Sequence, residues 1–172
     1  MMYWLIRVYT WVRNKLNPIR LPAVNHPVWS EVRDYDMDEF SRWVNKFPYK
    51  SDKLNGLWDR TYGFDHFIDE TVEYGRDCDG WARMWLIWAI WNNYEAHEVI
   101  VANRSIRNMK PHMVTMISIG PAYYLCDYEA YGPFAYPYDL LNSMAKRWSA
   151  YSEDSLWVVN DFKKKVIVEG SK

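Results

Sequence analysis

The longest apolar stretch of the chain runs over residues 81–91 and is interrupted only by Arg83. A run that is apolar on every side predicts a helix buried on most of its faces. Immediately before it stands Gly75-Arg76-Asp77-Cys78-Asp79-Gly80. Asp77 is placed to accept from the first-turn N–H groups as an N-cap, and the two glycines loosen the approach. Cys78 then falls in the first turn of the helix. A second helix opens at Asp36, where Glu39 completes an Asp-x-x-Glu capping box, and Met37, Phe40, Trp43, Val44 and Phe47 form one apolar face up to Pro48. Residues 1–16 predict a further helix, apolar and basic together, ended by Asn17-Pro18; residues 18–27, with three prolines, predict an extended connector. A short helix over 65–74 stopping at Gly75, and another from Asp139 through Trp148, complete the helical set. Residues 49–63 are polar and irregular, with Trp58 and Tyr62 as anchors.

The second half of the chain changes period. Residues 99–102, 112–119 and 122–128 predict strands, and 156–160 with 166–169 predict a hairpin whose Lys163, Lys164 and Lys165 suit an edge that avoids further pairing. Residues 103–111 and the aromatic Gly/Pro stretch 129–138 predict loops. If Gly120-Pro121 is the hairpin turn, Ile119 faces Ala122 and Val114 lies opposite Asp127. Side chains at i and i+2, and those directly opposed across the ladder, share a face. His112 and Asp127 are then diagonal neighbours on one face, roughly 7–8 Å apart at the backbone. Cys126 faces the other way, which predicts that Cys78 and Cys126 lie on different sides of the sheet and form no disulfide.

Composition narrows the classes. The 172 residues suffice for one domain with a sizeable core. A net charge of −1 gives no footprint for nucleic acid. Aromatic residues make up 18%, with 11 Trp and 14 Tyr, and such side chains both fill cores and line concave sites. Two cysteines with no CxxC or Cys/His cluster argue against a disulfide scaffold and against zinc. No run approaches a membrane span, and the positive charges near the start follow the apolar stretch instead of preceding it, unlike a cleavable signal. The expectation is a cytoplasmic protein, with residues 1–16 either docked on the domain or lying in a membrane interface as a peripheral contact.

The chemistry follows from the placement of three side chains. At a helix start, orphan N–H groups and the helix dipole favour a thiolate, the nucleophilic form of cysteine. Asp77 and Asp79 oppose that ionisation, so a reactive Cys78 needs a cationic partner. His112 as imidazolium supplies one, and Asp127 can orient it. This is the nucleophile, base and orienter arrangement of a thiol acyl-transfer enzyme. A lone cysteine is more often an inert core residue, and His112 alone a structural one. The conjunction raises the odds. The remaining histidines, His26, His66 and His97, have no comparable context and are read as surface or core residues.

Gly75-Arg76-Asp77-Cys78-Asp79-Gly80-Trp81-Ala82, then His112-Met113-Val114-Thr115-Met116, then Tyr123-Tyr124-Leu125-Cys126-Asp127 resemble the transglutaminase-like superfamily of papain-like cysteine enzymes. The core of that superfamily has a Gly-x-Cys-x-x-x-Ala helix start, a strand beginning with His and a strand ending in Asp. The Asp-Cys-Asp-x-x-Ala flavour is close to the bacterial transglutaminase-like cysteine peptidases. The likeness covers about residues 72–127. It departs where the family often has His-Ala-Trp and Asp-Pro, against His112-Met113-Val114 and Asp127-Tyr128 here.

The resemblance implies an α+β, papain-like fold in which a buried helix carrying Cys78 packs on an antiparallel sheet carrying His112 and Asp127. The N-terminal arm and the C-terminal third lie outside the likeness; the chain is read as an N-terminal apolar and basic helix over 1–17 and one domain over 18–172. The resemblance further implies a Cys78–His112–Asp127 triad hydrolysing a peptide, protein or other amide substrate through a thioester, with no cofactor and no metal. The Cys78 N–H is one oxyanion donor; Tyr74, Trp58, Trp81, Tyr131 and the region of Tyr62 are candidates for the second donor or for substrate binding. A transferase of the transglutaminase type and a non-catalytic binding module remain open alternatives.

Overall fold

A computed structural model of the chain describes Trp4, Val8, Trp11 and Val12 and residues 25–50, 77–103, 112–147, 155–160 and 168–170. The fold is α+β, with helices on an antiparallel sheet. Helix α1 is Pro27–Val32, α2 Met37–Val44 and α3 Cys78–Trp91. Strands β1 (Glu95–Asn103), β2 (His112–Ile119), β3 (Ala122–Cys126) and β4 (Ala130–Phe134) follow, then α4 (Pro137–Arg147), β5 (Ser155–Asn160) and β6 (Val168–Gly170). The sheet has six strands in the order β4-β3-β2-β1-β5-β6, each pair antiparallel. The central position of β1 requires the chain to leave β4, run through α4 and return on the far side of β1 as β5.

Alternation divides the sheet cleanly. Ala96, Ile117 and Cys126 point to the face covered by α1, α2 and α3. Val99, Val101, Val114, Met116 and Leu125 point to the other, where Leu140, Leu141 and Met144 of α4 cover them. The first face is the aromatic one. Trp29, Phe40, Trp81, Trp85 and Trp88 are all buried there. Phe40 stacks on Trp88 at 5.3 Å and meets Trp85 edge-on at 4.9 Å, geometries that add to burial through the ring quadrupoles. Residues 79–89 of α3 are buried without exception, as a helix apolar all round requires.

Several elements differ from the pattern reading. Pro27 does not end a connector; it is the first residue of α1, where its missing N–H costs nothing, and His26 caps that helix by accepting from the Trp29 N–H at 3.3 Å. The capping box of α2 is present, with Glu39 N–H on Asp36 at 2.8 Å and Asp36 N–H on Glu39 at 3.0 Å, but the helix closes at Val44, before Pro48. Strand β1 begins at Glu95, four residues before the apolar core of 99–102. Its buried Glu98 disguised it, and that carboxylate is matched by Arg83 of α3 at 2.8 Å. Strand β4 lies inside the expected 129–138 loop. Pro133 is tolerated because β4 is an edge strand, and the ladder bulges between Tyr123 and Leu125. Gly132 there, at φ +146°, would bring a Cβ to 2.9 Å from the Tyr123 carbonyl. Helix α4 begins two residues before Asp139. The expected helix over 65–74, the polar stretch 51–63 and the lysines at 163–165 lie outside the described residues.

The Arg83–Glu98 pair is nearly inaccessible, with side chains 6% and 2% exposed. Removing one member strands a buried charge. Arg83→Ala is expected to lower stability by about 3–5 kcal/mol in urea denaturation, whereas the paired replacement Arg83→Met with Glu98→Leu is expected to regain most of that loss.

Candidate active site

Cys78 is the first residue of α3. Asp77 before it is extended, and its carboxylate accepts from the Gly80 N–H at 3.4 Å while its carbonyl accepts from Trp81 at 3.1 Å. The capping aspartate read from the sequence is therefore in place. The thiol packs against Ala82, Ile100 and Met113, and the Met113 backbone favours its ionised form. Thr115 ties the same helix to the same strand, its hydroxyl donating to the Ala82 carbonyl at 2.6 Å.

The turn at Gly120-Pro121 sets the register as the hydropathy pattern requires, with Ile119 opposite Ala122 and Thr115 opposite Cys126; Gly120 supplies the positive φ of +59°. His112 opens β2 and Asp127 is the first residue beyond β3. Their side chains meet, Nε2 to Oδ2, at 3.0 Å. In a neutral imidazole bonded to a carboxylate, Nε2 carries the proton and Nδ1 bears the lone pair. Asp127 is held firmly: its N–H donates to the Glu129 carbonyl at 3.1 Å and its own carbonyl accepts from the Trp85 indole at 2.7 Å. Its second carboxylate oxygen, Oδ1, is buried with no hydrogen-bond partner among the described residues. Leaving such an oxygen without a donor costs about 1–3 kcal/mol or more.

Alternation turns Met113 toward α3, so the His112 side chain leaves β2 on the other side. The thiol thus packs on the α3 side of β2, beside Met113, while the His112–Asp127 pair forms at the start of β2 and the end of β3. Asp127 is the common neighbour: its carboxylate holds the imidazole and its charge acts on the thiol.

The charge state of Cys78 corrects the expectation of an easily ionised thiol. Burial pushes its pKa up to about 12, the Met113 backbone lowers it, and Asp79, Asp77 and Asp127 raise it further. A helix N-terminus is worth about 0.3–1 kcal/mol, less than one pKa unit. Desolvation of a buried acid is worth up to about 3–5 units, and here it dominates. The resting sulfur is a neutral thiol. Cys126 is fully buried and pushed up as well, by burial and by Asp127. It packs in the α3 layer, as Cys78 does, so the expectation that the two thiols face opposite sides of the sheet is not met. Both are free and belong to separate clusters.

Of the other candidates, Tyr74, Trp58 and Tyr62 lie outside the described residues. Tyr131 is paired with Leu125 and packs with the α4 layer. Trp81 is wholly buried, its ring against Phe47 and Tyr128 at 6.1 Å each, and its indole N–H has no partner among the described residues. His26 and His97 sit away from the pair, the first capping α1 and the second 3.2 Å from Glu95. The residue that sequence reading missed is Tyr128. It is half-buried, its ring lies 6.2 Å from that of Tyr49, and burial raises its phenol pKa with further contributions from Asp127, Tyr49, Cys78 and Asp77. Its neighbours are thus those of the thiol. The signal was its place in the sequence, directly after Asp127. Among the described residues no group of three or more His, Cys, Asp or Glu side chains is arranged to hold a metal ion.

Compared with known proteins, the chain matches no family model, no curated protein and no solved structure.

With its pKa near 12, Cys78 is expected to react slowly with iodoacetamide at neutral pH, with a rate that climbs roughly tenfold per pH unit well past the free-thiol value of about 8.5. Peptide mapping of a pH series checks this, and Cys126 should label later still.

Proposed function

We propose that the chain is a cysteine-dependent acyl-transfer enzyme with a papain-like, transglutaminase-like core, hydrolysing an amide bond in a peptide or protein through a thioester on Cys78. The observation that carries this reading is the His112–Asp127 bond at 3.0 Å, with the Cys78 thiol packed against Met113, the neighbour of His112 on β2. Because the resting thiol is neutral, the proton must leave as the bond forms. His112, through Nδ1, takes the S–H proton while the sulfur attacks the carbonyl carbon. It then returns that proton to the leaving amine as the C–N bond breaks. Water, deprotonated by the same imidazole, hydrolyses the thioester and restores the thiol. Asp127 fixes the tautomer and stabilises the imidazolium as it forms. An amine in place of water makes the same site a transferase.

The oxyanion needs donors aimed at it. The Cys78 N–H, one of the first-turn groups without an intrahelical carbonyl, is the first. Tyr128 is the better second candidate, since Trp81 is enclosed while the Tyr128 phenol is partly accessible and shares the thiol's surroundings. One observation favours the alternative of a non-catalytic binding module: a thiol held near pKa 12 by burial is inert unless a base acts in concert.

An electrophilic peptide amide added to the intact protein is expected to give a covalent adduct by intact mass that Cys78→Ala and His112→Ala lack. In turnover, those two variants should lose about 10⁴-fold or more, and Asp127→Asn somewhat less. Tyr128→Phe should lower kcat by about 10²-fold with little change in KM, the signature of a lost oxyanion donor. Absence of any adduct across electrophiles and pH sinks the enzyme reading and leaves the binding module.

A further inference from the structure

The N-terminal segment presents an apolar face that the domain does not cover. Trp4, Val8, Trp11 and Val12 are helical, and their spacing of four, seven and eight residues from the first sets them on one stripe. Trp4 is 65%, Val8 37% and Trp11 54% exposed, and Val12 is only partly covered. Exposed apolar residues scattered singly are ordinary, but a contiguous stripe with two tryptophans marks an interaction surface.

We infer that this stripe seats in the surface of an anionic lipid bilayer. Charge selects the occupant. Residues 1–30 carry Arg7, Arg13, Lys15 and Arg20 and no acid, the first being Glu31, in a chain whose net charge is −1. The positive charge is segregated into the segment that bears the stripe, and the rest of the chain is net acidic. A second copy of the stripe would bring cations against cations. An anionic bilayer meets the cations with headgroups and the stripe with acyl chain. Tryptophan, with an apolar ring and an N–H donor, is at home at that boundary. The inference is independent of the chemistry at Cys78.

The test is co-sedimentation of the full chain with vesicles of phosphatidylcholine alone and of phosphatidylcholine mixed with phosphatidylglycerol, at low and high salt. The intact chain should bind the mixed vesicles and be released by salt. Trp4→Ser with Trp11→Ser should reduce binding at least tenfold, and Arg7→Gln with Arg13→Gln by about twenty-fivefold, at about fivefold per cation. Unchanged circular dichroism and melting temperature confirm that each variant is folded. Failure of the intact chain to bind at low salt overturns the inference. So does equal binding to neutral vesicles. A concentration-dependent dimer in sedimentation velocity that Trp4→Ser with Trp11→Ser abolishes, without lipid binding, also overturns it in favour of a second copy.

Discussion

The hydrogen bond from the Trp85 indole to the Asp127 carbonyl, at 2.7 Å, joins the two halves of the site. Trp85 lies two turns into the helix that begins with Cys78, and Asp127 is where β3 stops. A buried indole N–H must find an acceptor, and a carbonyl at a strand end must find a donor. Each is the other's solution. Trp88 is satisfied in the same manner by the Tyr35 carbonyl, at 3.2 Å, which fastens α3 to the segment between α1 and α2. The aromatic core therefore does more than bury area. Its polar handles fix the ends of neighbouring elements, and one of those ends carries the carboxylate that holds His112.

Much of this was legible in the chain. The uninterrupted run after Cys78 announced a buried helix, Asp77 its cap, Asp36 and Glu39 their box, and Gly120-Pro121 a turn whose register brings His112 to Asp127. What was not legible was hidden by residues whose local pattern is overruled from afar. Glu98 breaks the apolar signal of β1 because its partner, Arg83, is fifteen residues away on another element. Pro133 hides β4 because only the sheet's edge position, a tertiary fact, makes a proline harmless there. Pro27 reads as a connector until His26 is seen capping the turn behind it. The side to which Cys126 turns followed from pairing, but its relation to Cys78 did not, since which sheet face receives the helix is settled by the whole aromatic layer.

The site's electrostatics set two tendencies against each other. A helix start and the Met113 backbone favour a thiolate, while burial and three carboxylates oppose it, and burial is the larger effect. A cysteine in this state resists oxidation and stray alkylation, because both consume the thiolate. In the acyl-transfer reading proposed above, the proton acceptor has to come with the reaction, and the bond that Asp127 makes to His112 is what would hold that acceptor in place. Tyr128, set between Asp127, Tyr49 and Trp81, adds a hydroxyl to a corner otherwise crowded with negative charge.

The bond from Thr115 to the Ala82 carbonyl, at 2.6 Å, reaches the second turn of the helix from the middle of β2. Helices that ride on sheets accommodate stress by sliding along them, and shear of that sort is a common way for one part of a protein to signal another. Here a hydroxyl from the sheet is latched to a carbonyl only four residues from the sulfur. The end of α3 cannot travel without dragging β2, and β2 begins with His112. The helix start that carries Cys78 and the strand that opens with His112 are therefore joined by a side-chain bond as well as by packing.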